Sequence, residues 1–163
     1  MWLWKTLRDY GYCSTIKPSV KTRMGRGGKG RRDYIRRYYR FHTFTFSSFD
    51  WIHDLFYPDG ITKVIPNEIG DFLTPLALAC WIMDDGTKIQ NSLKISTHSF
   101  SKENLEMVQK VLLDKYKLET TLQSAGAQGK TQYVLYIRKS SMVTLKKIIK
   151  PYLVKSMLYK LGE

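Results

Sequence analysis

The sequence predicts an α+β fold in which helices alternate with pairs of antiparallel strands. Two turns rich in glycine and lysine, at 25–30 and 126–130, each separate two strand-like stretches. Each second stretch leads into a pair of serines and then into a helical stretch. With 163 residues and 43% hydrophobic side chains, the chain can form one sizeable core or two small units.

The first part of the chain predicts the order helix, strand, strand, helix. We expect a helix over 2–10, strands over 13–23 and 34–46, and a helix over 49–56. The run Pro58-Asp59-Gly60 then predicts a turn.

The second part predicts two capped helices with strands between and after them. Thr74 and Pro75 favour the start of a helix over 75–84, and Ser101 favours the start of another over 101–116. Gly86 is predicted to end the first of these helices with a left-handed cap. We expect strands over 93–99, 119–125 and 131–138, followed by helical segments that break at Pro151.

Two stretches with the same order of features predict an internal repeat. Leu7-Arg8-Asp9-Tyr10 and Leu112-Leu113-Asp114-Lys115 each precede a strand, a glycine- and lysine-rich turn, a second strand and a serine pair. We therefore expect a partial first repeat over 1–70 and a complete second repeat over 71–163. The matching start of the first repeat would lie before Met1.

The distribution of charge predicts binding to a polyanion. Lysine and arginine number 27 against 14 acidic residues, a formal net charge of +13. Twelve of the basic residues and only two of the acids lie in 1–46, so this stretch carries +10. Crowded charge of one sign repels itself unless a polyanion neutralises it, which indicates the phosphate backbone of a nucleic acid. The alternative is a solubility or targeting feature.

Composition also excludes several classes. Cys13 and Cys80 are too few for a disulfide framework or a thiolate metal site, and they fit a reducing compartment. The longest apolar stretch, 72–83, is too short to span a bilayer, so we expect no membrane partner.

The helix predicted over 75–84 carries the chemistry of the chain. It is apolar all round, which predicts burial, and its small residues Ala77, Ala79 and Cys80 would let another helix approach closely. It ends in Asp84 and Asp85, at the negative end of the helix dipole, where two adjacent carboxylates are unfavourable. A divalent cation would relieve this cost, and hard oxygen ligands favour Mg²⁺. The alternative is that both side chains simply end the helix in solvent.

The segment Leu78 to Gly86 resembles the nine-residue motif of the LAGLIDADG homing endonucleases. The matching positions are Leu78, Ala79, Ile82, Asp85 and Gly86, and the departures are Cys80, Trp81, Met83 and Asp84. The departures follow one subgroup, together with Ile65-Pro66-Asn67, Leu73-Thr74-Pro75, Lys150-Pro151-Tyr152-Leu153 and Tyr159-Lys160-Leu161. The resemblance covers nearly the whole chain, in order.

This resemblance implies αββαββα-type repeats whose saddle-shaped antiparallel sheets bind a nucleic acid, with the first repeat incomplete. It implies that two motif helices pack together and that the last aspartate of each binds metal. Asp85 would then be the catalytic metal ligand, Asp84 would support it, and Lys63 and Lys160 would lie near the scissile phosphate. The other motif helix would come from a complementary LAGLIDADG chain or half.

The implied function is that of a site-specific DNA endonuclease of homing type, which needs Mg²⁺ or Mn²⁺. The alternative is a non-cleaving RNA-binding protein, either a group I intron maturase or a structural component. The resemblance also implies a mitochondrial or other organellar location.

Residues expected to contact the nucleic acid lie on alternating positions of the predicted strands and in the turns between them. In the first repeat they are Arg23, Arg26, Lys29, Arg31, Arg32, Arg36, Tyr38, Arg40 and His42. In the second they are Lys94, Ser96, His98, Gln123, Lys130, Gln132 and Arg138.

Overall fold

A computed structural model describes residues 1–27, 32–125 and 132–163. The chain forms two compact units, Met1–Ser48 and Phe49–Glu163. The predicted turn at 126–130, and residues 28–30 of the turn at 25–30, lie outside the described residues.

In the part of the chain that the structure describes, the first unit contains one helix and one antiparallel strand pair. Its elements are α1 (Trp2–Asp9), β1 (Val20–Gly25) and β2 (Tyr34–Tyr39). Trp4 anchors the helix, because its side chain is buried and its indole Nε1–H donates to the carbonyl of Ser14 at 3.1 Å.

Both strands of this pair are shorter than predicted. The ladder ends where Val20 pairs with Tyr39. Pro18 lies two residues before Val20 and has no amide hydrogen to continue the ladder. Beyond the strands, Cys13 and Thr43 form an isolated antiparallel bridge, which is the remaining part of the longer pairing that we expected.

The second unit contains a four-stranded antiparallel sheet and five helices among the described residues. Its elements are α2 (Asp50–Phe56), α3 (Ile69–Phe72), α4 (Pro75–Asp85), β3 (Gly86–Ile89), β4 (Ser92–Ile95), α5 (Lys102–Tyr116), β5 (Thr120–Ser124), β6 (Tyr133–Ile137) and α6 (Met142–Ile149). Two 3₁₀ segments, Lys150–Tyr152 and Lys155–Leu161, end the chain. The strand order is β3-β4-β6-β5.

One face of this sheet forms the core of the unit. Leu93, Ile95, Leu135 and Ile137 are fully buried and join a hydrophobic cluster with side chains of α4, α5 and α6. The antiparallel pairing confirms the α+β prediction. None of the helices in the described parts of the chain is long and apolar enough to cross a membrane.

Local capping fixes both long helices where the sequence predicts. The Thr74 hydroxyl accepts from the amide of Ala77 at 3.1 Å, and the Ser101 hydroxyl accepts from the amide of Asn104 at 3.3 Å.

The predicted left-handed cap at Gly86 is wrong. Gly86 has φ −75° and ψ 140°, which is extended backbone, and it begins β3 without a loop. Glycine is needed there for a different reason, because an added Cβ would overlap the Ile82 carbonyl oxygen and lie 2.9 Å from Ile82 Cγ2. Strand β3 itself was not expected.

The prediction that α4 is buried all round holds for one side only. Leu78, Ala79, Ile82 and Met83 are buried. On the other side Leu76 is 40% exposed, and its neighbours Ala77 and Cys80 are only half-buried.

Candidate functional site

The carbonyl end of α4 is fully hydrogen-bonded. A helix leaves its last four carbonyls without partners inside the helix. Here the Lys160 ammonium donates to the carbonyls of Ile82, at 3.1 Å, of Met83, and of Asp84, at 3.2 Å. The fourth carbonyl, of Asp85, accepts from the Ser96 amide of the β4 end at 3.1 Å. The point at which the helix ends is therefore fixed from both sides.

Two carboxylates extend from this fixed end towards a cavity of about 320 Å³. The Asp84 side chain is exposed and that of Asp85 is half-buried. Lys63 and a set of apolar and aromatic side chains complete the lining: Phe56, Ile65, Ile69, Leu73, Trp81, Phe100 and Val108. The sequence-predicted residues Asp84, Asp85 and Lys63 thus line one cavity.

The chemistry of these donors fits a hard divalent cation, but only in part. Both carboxylates offer oxygen ligands of the kind that Mg²⁺ prefers. Within residues 1–27, 32–125 and 132–163, however, no three histidine, cysteine, aspartate or glutamate side chains come close enough together to hold a metal. The end of α4 therefore offers part of a coordination shell.

Lys63 is held at the mouth of the cavity by its flanking backbone. The amide of Val64 donates to the carbonyl of Phe56 at 2.9 Å, and the amide of Ile65 donates to Asn104 Oδ1 of α5 at 3.0 Å. The Lys63 ammonium lies 5.1 Å from the centroid of the Phe100 ring, within range of a cation–π interaction.

The turn before Lys63 is stabilised by Asp59. Its carboxylate accepts from the amides of Ile61, at 2.9 Å, and of Thr62, at 2.6 Å. Hydrogen bonds from the Thr62 side chain, and then from these two amides, lower the pKa of Asp59 to about 2. The turn is thus held by an ionised carboxylate at neutral pH.

Lys160 lies away from solvent, with only 7% of its surface exposed. Burial lowers the pKa of this lysine, and the nearby Asp84 and Asp85 carboxylates partly oppose that effect. Its predicted place near a scissile phosphate stays a prediction.

The outer face of the second-unit sheet carries two of the predicted contact residues, Lys94 and Gln123. Lys94 lies beside Thr87 on one neighbouring strand and Tyr136 on the other, and Tyr136 pairs in turn with Thr121. Side chains alternate along a strand, so this face is opposite the buried core. Gln123 lies two residues after Thr121 on β5 and so faces the same side as Lys94, whereas Ser96 and His98 follow β4, and Gln132 and Arg138 flank β6.

One of these contacts is already engaged within the chain. The Arg138 guanidinium lies 3.9 Å from the carboxylate of Glu119, and both side chains are exposed. This exposed ion pair is weak enough for a phosphate to compete with it.

The strand pair of the first unit carries a second basic surface. The register sets Arg23 opposite Arg36 and Lys21 opposite Tyr38, so these four side chains share one face. Arg36 lies over the ring of Tyr34, with its Cζ 5.1 Å from the ring centroid. Like charges directly opposite each other destabilise a strand pair, and a bound polyanion removes that cost.

The remaining predicted contacts of this unit fall near the ends of the strands. Arg26 joins Arg23 and Arg36 around a concavity of about 820 Å³. Arg32 precedes β2, while Arg40 and His42 follow it. The predicted contacts Lys29, Arg31 and Lys130 lie outside the described residues.

Two residues, one on the sheet and one beside Lys63, were missed by sequence reasoning. Tyr136 lies beside Lys94 in the sheet, and only the strand register reveals this. Asn104 holds the backbone next to Lys63 from a position 39 residues away, and no local pattern signals such a contact.

The structure thus places an antiparallel sheet beside a helix, α4, that is buried on one side and ends in paired carboxylates, as expected from the resemblance of this segment to the LAGLIDADG motif. The chain belongs to the LAGLIDADG DNA endonuclease family, whose model matches residues 1–145.

Curated relatives include both maturases and endonucleases. The chain is 42% identical to cytochrome b mRNA maturase bI2 of Saccharomyces cerevisiae, over 99% of this chain and 38% of that protein. It is 41% identical to the maturase of the same name from Debaryomyces hansenii, over 100% of this chain and 59% of that protein. It is 36% identical to intron-encoded endonuclease ai4 of Dictyostelium discoideum, over 93% of each.

A solved structure confirms the fold. The chain superimposes on the homing endonuclease I-WcaI bound to its DNA recognition sequence with a TM-score of 0.78 and 25% identity. The match covers 98% of this chain and 70% of that one.

Proposed function

We propose that the chain binds DNA and takes part in site-specific hydrolysis of phosphodiester bonds, as a homing-type endonuclease. The observation that carries this proposal is the fixed end of α4, which directs Asp84 and Asp85 towards the cavity that Lys63 also lines. The similarity to intron-encoded endonuclease ai4 and to the DNA-bound I-WcaI supports it.

In this proposal Asp85 binds Mg²⁺ or Mn²⁺, and Asp84 adds a second oxygen ligand or a supporting charge. The bound metal supplies Lewis-acid stabilisation of the phosphate and an activated water. Lys63 is exposed at the cavity mouth, where its ammonium can donate to a phosphate oxygen and stabilise developing negative charge.

The nucleic acid lies along the outer face of the second-unit sheet in this proposal, while the basic strand pair binds phosphates. Lys94, Gln123 and Arg138 provide the charged and amide groups that can contact phosphates and base edges.

A complementary LAGLIDADG half supplies the remaining ligands in this proposal. Two observations support it: the partial coordination shell at the end of α4, and the partly exposed side of that helix formed by Leu76, Ala77 and Cys80. The small side chains would allow a second helix to pack closely.

A second function is supported by the maturase relatives. We propose, as the alternative, that the same surfaces bind structured RNA without cleavage, as in group I intron splicing. The chain is 42% and 41% identical to two cytochrome b mRNA maturases, although it spans only 38% and 59% of their lengths. This similarity also supports a mitochondrial or other organellar location.

The two functions separate in one experiment with Asp85→Asn. The full chain is incubated with a randomised duplex DNA library and Mg²⁺, alone and with any chain that copurifies. Site-specific cuts that fall at least about 10³-fold in Asp85→Asn, but not in the control Asp114→Asn on the exposed side of α5, support the endonuclease. Tight binding to group I intron RNA, with no cuts and no effect of Asp85→Asn, supports the maturase.

A further inference from the structure

The Lys160 ammonium has no hydrogen-bond donor left over. A lysine carries three N–H groups, and here three carbonyl oxygens at the end of α4 accept from Lys160 Nζ. A group in this state cannot also donate to a water or a phosphate oxygen without breaking one of these bonds.

The place of Lys160 is set by the segment that carries it. Lys160 and Leu161 are both buried, and Gly162 follows with φ +82°, a conformation that favours glycine. An added Cβ at Gly162 would lie 2.6 Å from Cε and Nζ of Lys88 on β3. Two lysines of the α6 end, Lys146 and Lys150, lie 3.7 Å and 2.6 Å from the carboxylate of Glu163.

The electrostatic problem at this position explains why a cation is buried there. The carbonyl end of a helix carries a partial negative charge, and Asp84 and Asp85 add two full negative charges beside it. Like charges this close would favour fraying of the last turn, which would move both carboxylates. Lys160 offsets this charge at the backbone carbonyls, while the side chains of Asp84 and Asp85 line the cavity.

We propose that Lys160 is a positioning residue, which holds the carbonyl end of α4 so that Asp84 and Asp85 present their oxygens to a divalent cation. This inference rests on the proposed metal site. It means that Lys160 acts on the metal ligands through the end of α4 and does not contact a phosphate. Such outer partners of metal ligands commonly change metal affinity by about 10- to 100-fold.

Mn²⁺ titration of the full chain, followed by electron paramagnetic resonance, tests the proposal without any cleavage assay. We expect Lys160→Met to weaken Mn²⁺ binding by about tenfold or more. Lys160→Arg keeps a charged donor group and should bind Mn²⁺ within about threefold of the wild type. Lys155→Met is the matched control, since Lys155 lies on the same segment and is exposed. It should bind Mn²⁺ like the wild type.

A second readout separates positioning from phosphate contact. Binding of each variant to a random-sequence duplex is measured in EDTA at several salt concentrations. A positioning residue leaves the affinity within about twofold and the salt slope unchanged, whereas a phosphate contact would lower the slope by about one. Loss of duplex affinity in Lys160→Met with unchanged Mn²⁺ binding overturns the proposal.

The outcomes also distinguish this inference from the proposed function. If Asp85→Asn weakens Mn²⁺ binding but Lys160→Met does not, the inference fails alone. If the wild type and Asp85→Asn bind Mn²⁺ equally, or not at all, the metal site fails and the inference fails with it. Where Lys160→Met does not fold, Lys160→Gln, which keeps two donors and loses the charge, is titrated instead. Mn²⁺ binding at least about threefold weaker than wild type is then expected, and equal binding overturns the proposal.

Discussion

The strand pair β1–β2 and the strand pair β5–β6 occupy the same place in the same order of elements. Each follows a helix, α1 or α5, and each leads into a short 3₁₀ turn with a serine pair and then a helix. In β6, Val134, Leu135 and Ile137 are buried, whereas every residue of β2 is exposed. The same order of elements thus builds a hydrophobic core in one unit and a charged surface in the other.

The difference follows from the side chains and from the pairing. In β6 the strand neighbours β4 as well as β5, and its inward positions are leucine and isoleucine. In the described residues β2 pairs with β1 alone, and its central positions are Arg36 and Arg37. An arginine resists burial without a partner, so this pair stays open to solvent.

The largest contrast is expected from truncating one aliphatic side chain in each pair. Leu135→Ala in β6 removes a fully buried side chain and should cost about 2–5 kcal/mol of unfolding free energy. Ile35→Ala in β2, where the side chain is 65% exposed, should change it by no more than about 0.5 kcal/mol. Urea denaturation followed by circular dichroism measures both. Equal costs would show that the first strand pair is covered in solution.

Glycine substitutions give a smaller contrast of the same kind. At Gly86 an added Cβ meets the Ile82 carbonyl oxygen, which is backbone and cannot rotate away, so Gly86→Ala should cost about 1–3 kcal/mol. At Gly25 the added Cβ meets only the tip of the Tyr34 ring, at 2.8 Å, and this exposed side chain can move aside. Gly25→Ala should therefore cost less than about 1 kcal/mol. Thermal denaturation of both variants tests this, and the reverse order would contradict it.

Two neighbouring arginines sharpen the assignment of the basic surface. Arg36 shares its face with Arg23 and Lys21, while Arg37 lies opposite Thr22 on the other face. We expect Arg36→Gln to weaken nucleic-acid binding and to reduce the salt slope by about one, since one phosphate contact is lost. Arg37→Gln removes the same charge from the other face and should have the smaller effect. Fluorescence anisotropy at several salt concentrations measures both, and equal effects would argue against a single binding face.

The smallest effect is expected from the ion pairs of Glu163 in the second unit. A hydrogen bond from Lys150, helped by the charges of Lys150 and Lys146, lowers the pKa of Glu163 below its ordinary value of 4.5. A carboxyl whose pKa is lowered in the folded state stabilises the fold above 4.5 and loses that contribution as the pH falls through the lower value. Glu163→Gln should thus lower the melting temperature at pH 7, and this difference should shrink as the pH falls below 4.5 and through the lowered pKa of Glu163. A difference that is independent of pH would contradict this origin.

How far the sequence predicts this molecule depends on the range of the interactions involved. The starts of α4 and α5 were predicted to within one residue, because Thr74 and Ser101 cap their own helices. The strands of the first unit were predicted too long. The strand-like pattern extends from Pro18 back to Cys13, but the hydrogen-bond ladder ends where Val20 pairs with Tyr39. Strand β3 was missed because Gly86 was assigned to a helix cap and Ile89 is the only large apolar residue of Gly86–Ile89.

The candidate site divides in the same way. Asp84, Asp85 and Lys63 were singled out from the motif and its resemblance, and they line one cavity. The partners of Lys160 could not be predicted, since its nitrogen reaches backbone carbonyls 76 to 78 positions away. Only the folded chain brings those atoms together, and the same is true of Asn104 and Ile65.

No loop connects α4 to β3. Asp85 is the last residue of the helix and Gly86 is the first of the strand, and the Ser96 amide ties Asp85 to the adjoining strand. A ligand that shifts or twists the sheet would therefore turn both carboxylates with it, as a rigid lever would. If a duplex binds along the sheet as proposed, a duplex that fits the sheet poorly would also leave Asp84 and Asp85 in the wrong orientation.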